Sequence, residues 1–499
     1  MQHEAAVTSR SHETSVKTLL LVVVSAIFIT TFTGGMINVA LPVIRAEFGA
    51  SPALIGWIVT GYLLAYAVGV PILGRASDRY GVRRLFVTGL AGFAAGGIVC
   101  ALAPSLTALI LGRTLQGCAG AAVPALATVA VAKALPPGRR GAALGLTGAT
   151  VGIGSSVGPV AGGALMEWLG WRGLFAIPIT LALILIPLAL RSLPDGQSDK
   201  ARPFDAAGGL LLAASAGLFL LSITQGQVLG FRAVSSWGSL LAAGLAAAAL
   251  AWRSRRVSHP FIPRGLFRNR TYVAALLVGP VAMFTNGSAL VLVPLLVVEV
   301  NGLASSAAGM VLTPQAVAVA LLSPITGRLS DRIGVRKPIL TGLAILTLVF
   351  AALSTWAGAP APFIAALMVG LGIGAACLQS PANNAAANAL ADKEVGAGMG
   401  LFSGTGFLLA AAGPALSGAL LAARAEAGQG AVNPLYQLSA APFSDVFLAL
   451  LLPLLVAWFF ALRLPPGAPA KRGVPARPQL SAGARQEDER SPEPLPVQD

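Results

Sequence analysis

A charged motif that combines one aspartate with several arginines and two glycines occurs twice in this chain. The first copy, GRASDRYGVRR, runs from Gly74 to Arg84, and the second, GRLSDRIGVRK, runs from Gly327 to Lys337. Each aspartate could cap the start of a helix, the glycines allow a tight turn, and the arginines would hold the loop on the cytoplasmic side of a membrane. Such a loop at equivalent places in two halves is typical of a duplicated membrane transporter. The motif residues expected to matter for gating are Gly74, Asp78, Arg79, Gly81, Arg83, Gly327, Asp331, Arg332, Gly334 and Arg336.

A second chemical signal is a single arginine inside an apolar segment. Arg113 lies well within a predicted span, where a charge is costly and normally faces a cavity or a partner. It could therefore bind substrate or take part in proton coupling. The structural alternative is that it bonds helix-end carbonyls and polar neighbours such as Gln116.

Further polar side chains are dispersed among the apolar spans and could line a binding cavity. Buried amides are costly in a membrane unless they are paired, so each could instead bridge two helices. A cavity whose charge is one arginine would disfavour a strongly cationic substrate, because nothing would balance the substrate's charge. The candidates beside Arg113 and Gln116 are Asn38, Tyr62, Tyr66, Asn286, Gln315, Gln379, Asn383 and Asn384.

The elements that must position these residues are membrane-spanning helices. Of the 499 residues, 56% are hydrophobic and only 11% are charged, whereas soluble domains carry about a quarter charged residues. Hydropathy predicts about fourteen segments near the roughly 20 residues that cross a bilayer. Their approximate bounds are 18–41, 54–76, 85–103, 106–131, 142–165, 171–190, 205–225, 235–252, 272–299, 304–328, 338–357, 361–390, 398–422 and 445–463.

The basic residues predict the orientation of these spans. With the N-terminus inside, only Arg45, Arg172, Arg232 and Arg424 fall outside. That asymmetry is a strong positive-inside signal, so the net charge of +15 reflects topology rather than nucleic-acid binding. Both termini are expected in the cytoplasm, with residues 1–17 forming a polar segment and residues 464–499 a disordered, proline-rich tail.

At this point the chain resembles the major facilitator superfamily, in its fourteen-helix drug:proton antiporter branch. The repeated loops match the family's signature between helices 2 and 3 in both halves, and Arg113 to Gly117 (RTLQG) matches the helix 4 signature. The glycine-rich run from Gly148 to Gly163 resembles the antiporter signature of helix 5. Its key residues are Gly154, Gly158, Pro159 and Gly162. Two stretches, 259–262 (HPFI) and 394–399 (EVGAGM), look most like the tetracycline exporters of Gram-positive bacteria.

The resemblance implies an all-α polytopic membrane protein built from two pseudosymmetric six-helix bundles and an inserted pair of helices. The bundles, 18–190 and 272–463, would rock about a central cavity, and the inserted pair, 205–252, would lie outside that core. Small faces on helix 5 would let helices approach closely and slide, and the proline would kink that helix.

The chain departs from its relatives in its acids. Related antiporters carry a carboxylate in helix 1, and the tetracycline exporters carry others in helices 5 and 13, but no predicted span has one near its middle. Proton coupling usually needs a titratable group in the pathway. Either a peripheral acid serves, with Asp78, Glu299 and Glu167 as candidates, or the protein is not proton-coupled in the usual way.

The sequence thus predicts a secondary active transporter that exports small amphiphilic organic molecules by alternating access, driven by a proton gradient. The alternatives are an importer or facilitator of a neutral or anionic metabolite, and a non-transporting membrane sensor on the same fold. The signals of an enzyme, a metal site or a bound cofactor are lacking in the sequence. We expect a monomer in the bacterial inner membrane whose partners are a small molecule and the lipid bilayer.

Overall fold

The computed structural model describes residues 2–50, 52–135, 137–193, 205–303, 305–391, 394–428 and 430–466. Within these ranges the chain forms helices and no strands. The first half comprises α1 (Gln2–Phe48), α2 (Pro52–Tyr80), α3 (Val82–Ala101), α4 (Leu106–Gly120), α5 (Ala122–Ala134), α6 (Pro137–Gly173) and α7 (Ala176–Ser192). The predicted tail, 464–499, lies outside the described residues from 467 onward.

An inserted pair of helices and a second half follow. The pair is α8 (Ala206–Leu229) and α9 (Val234–Arg256). The second half comprises α10 (Arg264–Arg268), α11 (Arg270–Glu299), α12 (Ser305–Ile333), α13 (Arg336–Thr355), α14 (Ala361–Ala389), α15 (Val395–Ala427), α16 (Ala441–Ala449) and α17 (Leu451–Ala461).

The long helices are apolar enough to cross a membrane, as predicted. Among the described residues, twelve segments pass by length and composition, and the bent pair Ala161–Gly173 with Ala176–Ser192 raises the number to as many as 13. The all-helical, multi-pass fold is therefore confirmed, whereas the count of fourteen stays a prediction. The predicted spans 142–165 and 171–190 fall on α6 and α7, which meet at an angle of 82°.

Two predicted single spans are each broken into two helices. The predicted span 106–131 becomes α4 and α5, separated at Ala121, and the span 445–463 becomes α16 and α17, separated at Leu450. In both cases a proline, Pro124 or Pro453, is the third residue of the second helix. A proline has no N–H to donate to the carbonyl four residues earlier, so the break falls just before it.

Helix α6 packs with two different faces against two different neighbours. A Cβ placed on Gly158 would lie 2.7 Å from the Phe32 carbonyl of α1, and one on Gly162 would lie 2.7 Å from Met36 Cγ. A Cβ on Gly154 would collide with Thr31, which also lies on α1. Nearer its start, α6 instead faces α12 of the other half. Only residues without a Cβ permit such close backbone approach. The side chain of Pro159 lies outside the described part of the chain.

The inserted pair lies beside the interface between the two halves. Helices α8 and α9 pack on each other, and α8 also contacts α2 of the first half and α15 of the second. Because successive long helices alternate in direction, the loops at Gly81 and Gly334 lie at one end of the molecule, called here the motif end. The opposite end, where α1, α11 and α15 finish, is called the far end.

Candidate functional site

The two motif aspartates lie at the ends of helices rather than at their starts. Helix α2 continues through Asp78 to Tyr80, and α12 continues through Asp331 to Ile333. The turns are made by Gly81 and Gly334, whose φ angles are 84° and 87°, a region that side chains with a Cβ rarely adopt. The helix start that an aspartate could cap is therefore not that of the following helix: α3 has Gly81 at its N-cap and no side-chain cap bond.

Asp78 instead meets the start of a helix in the other half. Its carboxylate lies against Gly396, the second residue of α15, so closely that a Cβ at Gly396 would collide with it. Within its own half, Asp78 Oδ2 accepts a hydrogen bond from Arg75 Nη1 at 3.2 Å, and Lys133 Nζ lies 4.0 Å from Oδ1. A buried carboxylate is stabilised at a helix N-terminus by the helix dipole and the free N–H groups.

Two glycines bring the same helices into backbone contact. A Cβ on Gly74 would lie 2.6 Å from Gly400 Cα and 3.0 Å from the Gly396 carbonyl. We call the set Gly74, Asp78, Gly396 and Gly400 the first latch. It joins α2 of the first half to α15 of the second half at the motif end.

The second motif copy makes the equivalent contact between α12 and α6. Asp331 Oδ1 accepts hydrogen bonds from the Gly141 N–H at 3.2 Å and from Asn384 Nδ2 at 2.9 Å. Asn384 Nδ2 also reaches Ser330 Oγ at 2.8 Å, and a Cβ on Gly327 would collide with the Gly141 carbonyl. We call the set Gly141, Gly327, Asp331 and Asn384 the second latch. Each latch thus presents a motif aspartate of one half to the first turns of a helix in the other half.

The arginines of the two motif copies lie in different environments. Arg83 Nε donates to the Leu193 carbonyl at 2.8 Å, which ties the start of α3 to the end of α7. The Arg79 guanidinium lies 5.5 Å from the centre of the Tyr80 ring. Arg332 is exposed and Arg336 is half-buried. Their predicted role in gating stays a prediction.

Arg113 is completely buried in the first half. Its Nη1 donates to Gln116 Oε1 at 2.6 Å, its Nε reaches the Ile58 carbonyl at 3.5 Å, and its guanidinium lies 4.1 Å from the centre of the Tyr62 ring. Among the described residues, Arg113 Nη2 and Gln116 Nε2 are buried without a hydrogen-bond partner. Unpaired buried donors are costly, so an acceptor such as a water molecule or a substrate oxygen at this point would stabilise both.

A row of aromatic rings links this cluster to the second half. Tyr62 stacks on Tyr66 with ring centres 5.6 Å apart, and Tyr66 meets Phe407 of α15 edge to face at 5.0 Å. The Tyr62 hydroxyl donates to the Thr30 carbonyl at 3.2 Å. Phe407 was not among the predicted residues, because a lone phenylalanine in an apolar helix carries no signal of its own.

The remaining predicted amides do not gather around Arg113. Gln315 Nε2 bonds Asn286 Oδ1, and Gln315 Oε1 is buried without a partner among the described residues. Asn383 Nδ2 donates to the Gln379 carbonyl of its own helix at 3.2 Å, while Asn38 is exposed on α1. Asn384, expected in the cavity, lies in the second latch. The polar set therefore divides into a first-half cluster, a second-half amide pair and a group on α14.

The three candidate coupling acids differ in environment. Asp78 is only 8% exposed, whereas Glu299 at the end of α11 and Glu167 near the far end of α6 are exposed. The described residues hold no group of three or more His, Cys, Asp or Glu side chains that could bind a metal.

Acidic side chains also fix loops outside the spans. At the far end, Glu47 accepts hydrogen bonds from Trp171 Nε1 at 2.5 Å and Arg172 Nη1 at 2.6 Å, which lower the pKa of its carboxyl. At the motif end, burial raises the pKa of Asp205, but hydrogen bonds from the Gly208 N–H, from Arg253 and from the Phe261 N–H outweigh it and lower the pKa overall. Asp205 thereby joins the start of α8 to the end of α9.

Comparison with known proteins agrees with this architecture. The family model of the Major Facilitator Superfamily matches residues 23–252 and 275–492. The multidrug resistance protein Stp of Mycobacterium tuberculosis is 32% identical over 392 residues, which cover 78% of this chain and 72% of Stp. The riboflavin transporter RibZ of Clostridioides difficile is 29% identical, over 73% of this chain and 79% of RibZ.

More distant similarities extend the comparison. The tetracenomycin C resistance and export protein of Streptomyces glaucescens is 29% identical, over 65% of this chain and 61% of that protein. Among solved structures, the proton:xylose symporter XylE shares the fold with a TM-score of 0.61 at 15% identity, over 91% of this chain and 97% of XylE. The human organic anion transporter MFSD10 gives a TM-score of 0.59 at 16% identity, over 89% of this chain and 99% of MFSD10. The chain therefore belongs to the Major Facilitator Superfamily, and its relatives fit the drug:proton antiporter branch of that family.

Proposed function

We propose that this protein exports small amphiphilic organic molecules across the bacterial inner membrane by alternating access. The observation that carries the proposal is the pair of latches, in which both motif copies reach across to the other half at the same end of the molecule. Contacts of this kind can hold one end closed and release it as the halves rock. Contacts worth a few kcal/mol suit a switch, because the two states of such an element differ by only a few kcal/mol.

The substrate class is supported by the relatives and by the site. Stp is named a multidrug resistance protein, and the Streptomyces glaucescens relative is named a resistance and export protein for tetracenomycin C. A site that combines buried aromatic rings with two free donors, Arg113 Nη2 and Gln116 Nε2, suits a molecule with an apolar body and a few oxygen acceptors.

The orientation follows from the charges. The motif end carries the exposed arginines 255, 256, 264, 268 and 270, and we place it in the cytoplasm. At the far end, two of the few arginines are neutralised by acids, Arg172 by Glu47 and Arg424 by Asp445. Both termini would then be cytoplasmic, and the protein would act as a monomer.

Energy coupling is proposed to be proton antiport through a peripheral acid. Asp78 is the favoured site because it is buried within a contact that must break when the motif end opens. A proton on its carboxylate would remove the charge that favours the start of α15 and so weaken the latch. Glu299 and Glu167 are the other candidates.

A facilitator of a metabolite remains a second candidate, supported by the similarity to the riboflavin transporter RibZ. The direction of flux distinguishes the two. In inside-out vesicles with an imposed proton gradient, an exporter accumulates a tetracenomycin-like polyketide and a facilitator of vitamins equilibrates riboflavin instead. Uptake of riboflavin alone, unaffected by the gradient, would refute the export proposal.

A further inference from the structure

A linker joins the inserted pair of helices to the second half at the motif end. It covers residues 257–269, between α9 and α11, and contains α10. Phe261 is 3% exposed, and a Cβ on Gly209 of α8 would lie 3.0 Å from its ring. Leu266 is 1% exposed. These two apolar side chains therefore anchor the inner side of the linker.

Hydrogen bonds hold the linker to its neighbours on both sides. Towards the inserted pair, Arg264 Nε donates to the Ser254 carbonyl in the last turn of α9 at 2.5 Å. Towards the second half, Asn269 Nδ2 donates to the carbonyl of Ala389, the last residue of α14, at 2.6 Å. The linker thus ties the inserted pair to the second half, and its outer side has a defined shape.

The outer side of this region carries exposed arginines. Arg255 and Arg256 end α9, Arg268 ends α10 and Arg270 begins α11, and all four are exposed. The side chains of Arg255, Arg268 and Arg270 form no ion pair or hydrogen bond with another residue that the structure describes. The Arg256 guanidinium lies 4.5 Å from the centre of the Trp252 ring. Such cations are available to an external anion.

Two acids near these arginines leave the positive charge in excess. Asp205 is already paired with Arg253, whose Nη2 lies 2.8 Å from its Oδ1. Glu394, the N-cap residue of α15, lies beside α10, where a Cβ on Gly265 would be 3.1 Å from its Oε1. It forms no ion pair with a residue that the structure describes. Within the described part of the chain, one unpaired carboxylate therefore stands beside four exposed arginines.

One stripe of α9 continues from these cations into the apolar part of the helix. Leu241, Leu245 and Trp252 are 58%, 63% and 59% exposed. With about 3.6 residues per turn, they lie within roughly 40° of one another around the helix. Helix α9 is long and apolar enough to span a membrane. The leucines therefore face lipid chains, and the tryptophan lies towards the basic end, where aromatic rings mark the membrane interface.

Helix α10 presents a similar combination of charge and apolar surface. Arg264, Phe267 and Arg268 share one face, since residues three and four apart lie on the same side of a helix. Phe267 is 56% exposed, whereas Leu266 beside it is buried. An exposed ring between two arginines is typical of a helix that lies at a membrane surface. The arginines are therefore expected at the depth of the lipid phosphate groups.

We propose that this surface binds an anionic phospholipid of the adjoining leaflet, with its phosphate groups on the arginines and its acyl chains along the exposed stripe of α9. A guanidinium offers parallel N–H donors that suit phosphate oxygens. Free phosphate or nucleic acid would meet the same cations but would leave the apolar stripe unused. The site is independent of the proposed export function, and it would join the inserted pair and the second half to the same lipid. This basic surface consists of Arg255, Arg256, Arg268, Arg270, Trp252 and Phe267.

Native mass spectrometry of the purified full-length protein, titrated with defined lipids in detergent, tests the proposal. Cardiolipin is anionic through its phosphates, whereas phosphatidylcholine has similar chains and no net charge. We expect cardiolipin to bind about tenfold more tightly than phosphatidylcholine, or better. The triple variant Arg255→Gln/Arg268→Gln/Arg270→Gln should lose about tenfold or more of the cardiolipin affinity, since each arginine at an anionic surface contributes about a fivefold factor.

A matched triple variant controls for the loss of charge. Arg84→Gln/Arg191→Gln/Lys337→Gln removes the same charge from exposed positions at the motif end, on α3, α7 and α13. It should bind cardiolipin as the native protein does. Equal losses in the two triple variants would overturn the proposal, because the lipid would then respond only to the general charge of the motif end. A native protein without preference for cardiolipin would overturn it as well.

Phe267→Ser tests the apolar part of the surface without altering a buried residue. The variant should weaken cardiolipin binding severalfold, because the ring no longer contacts the lipid, and should leave the thermal midpoint in detergent unchanged. Unaltered cardiolipin binding in this variant would contradict the placement of α10 at the membrane surface.

Inorganic pyrophosphate at matched ionic strength distinguishes a lipid from a soluble phosphate compound. It should leave cardiolipin bound, because it cannot occupy the stripe of α9. Displacement of cardiolipin by millimolar pyrophosphate would assign the surface to a soluble phosphate compound and refute the lipid. None of these measurements requires transport, so a protein that exports nothing in vesicles would refute the export function and leave the lipid site assigned.

Discussion

Replacing Asp78 with asparagine should shift the protein towards states that are open at the motif end. The substitution keeps the size of the side chain and removes its charge. The contribution that differs between the closed and the open state is the interaction of the carboxylate with the start of α15, worth up to about 2 kcal/mol in a partly buried setting. The contacts of Asp78 with Arg75 and Lys133 lie within the first half, so they persist when the motif end opens and do not shift that equilibrium.

A loss of about 2 kcal/mol changes a two-state equilibrium about thirtyfold. If the closed state dominates in the native protein, the substitution makes the open state the major one only when the native ratio of closed to open molecules is less than about thirty. Asp331→Asn should cause a smaller shift, because the asparagine oxygen can still accept the Gly141 N–H and only the charge assistance of that hydrogen bond is lost.

Spin labels at Tyr80 and Ile333 measure the shift directly. Both are exposed, and each ends the helix that carries one motif copy. With the three native cysteines replaced, pulsed electron resonance gives the distance distribution between the labels, and its long-distance fraction should grow in Asp78→Asn. Glu426→Gln serves as the charge control and should leave the distribution unchanged. An unaltered distribution in Asp78→Asn, with the protein folded, would show that the carboxylate does not hold the motif end closed.

Three further outcomes are expected. Arg113→Ala should abolish transport and Arg113→Lys should retain little, because an ammonium cannot stack on Tyr62 while also donating in a plane. Transport rates are measured in proteoliposomes. A full rate in Arg113→Lys would make the residue a point charge only, and a full rate in Arg113→Ala would make it structural. Substrate flux should drive proton movement that is lost in Asp78→Asn or in Glu299→Gln, and its absence in the native protein would exclude antiport. Since the folded-state pKa of Asp205 is lowered, its stabilising contribution is present above the unfolded pKa and is lost as pH falls through the folded pKa. Asp205→Asn should therefore lower the thermal midpoint at pH 7 and flatten its decline as the pH falls below the unfolded pKa of about 3.9.

The helices could be predicted from the sequence because their signals are local. The length of an apolar run alone indicates whether it can cross a bilayer. The predicted span 54–76, for example, lies within α2. The breaks at Ala121 and Leu450 were also readable in principle, since each precedes a proline by three residues. Hydropathy averages over such points, so each was predicted as one span, and by length and composition each pair of helices is indeed a single candidate span.

The motif suggests that Asp78 meets a helix end of the other half, but the residues that the two aspartates contact could not be named from the sequence, because they lie far away along the chain. Nothing near Asp78 in sequence indicates Gly396, and nothing near Asp331 indicates Gly141 or Asn384. The helix starts that the aspartates meet are not the next ones along the chain, for a structural reason. The motif aspartates precede a glycine that adopts a positive φ, so the helix before them extends to that glycine and the carboxylates project across the interface instead of over the next helix.

The two latches share geometry but differ in chemistry, and this difference bears on coupling. Asp78 has cations beside it, Arg75 and Lys133, whereas Asp331 has the amide of Asn384 and the hydroxyl of Ser330 nearby. The charge of Asp78 thus interacts with cations of its own half as well as with the start of α15, whereas Asp331 is held by hydrogen bonds to neutral groups.

The two latches are thus expected to respond to different changes, the first to charge and the second to helix position. The first latch is expected to respond to charge, because the start of α15 interacts with the charge of the Asp78 carboxylate. The second latch responds mainly to the position of α6, whose Gly141 must approach Gly327 within backbone contact. Because α6 also packs through Gly158 on α1, a movement of α1 relative to α12 must pass through that helix. We infer that a ligand that moves α1 would loosen the second latch without touching it, and that in the proposed antiport a proton on Asp78 would loosen the first, so that two separate inputs would open the same end.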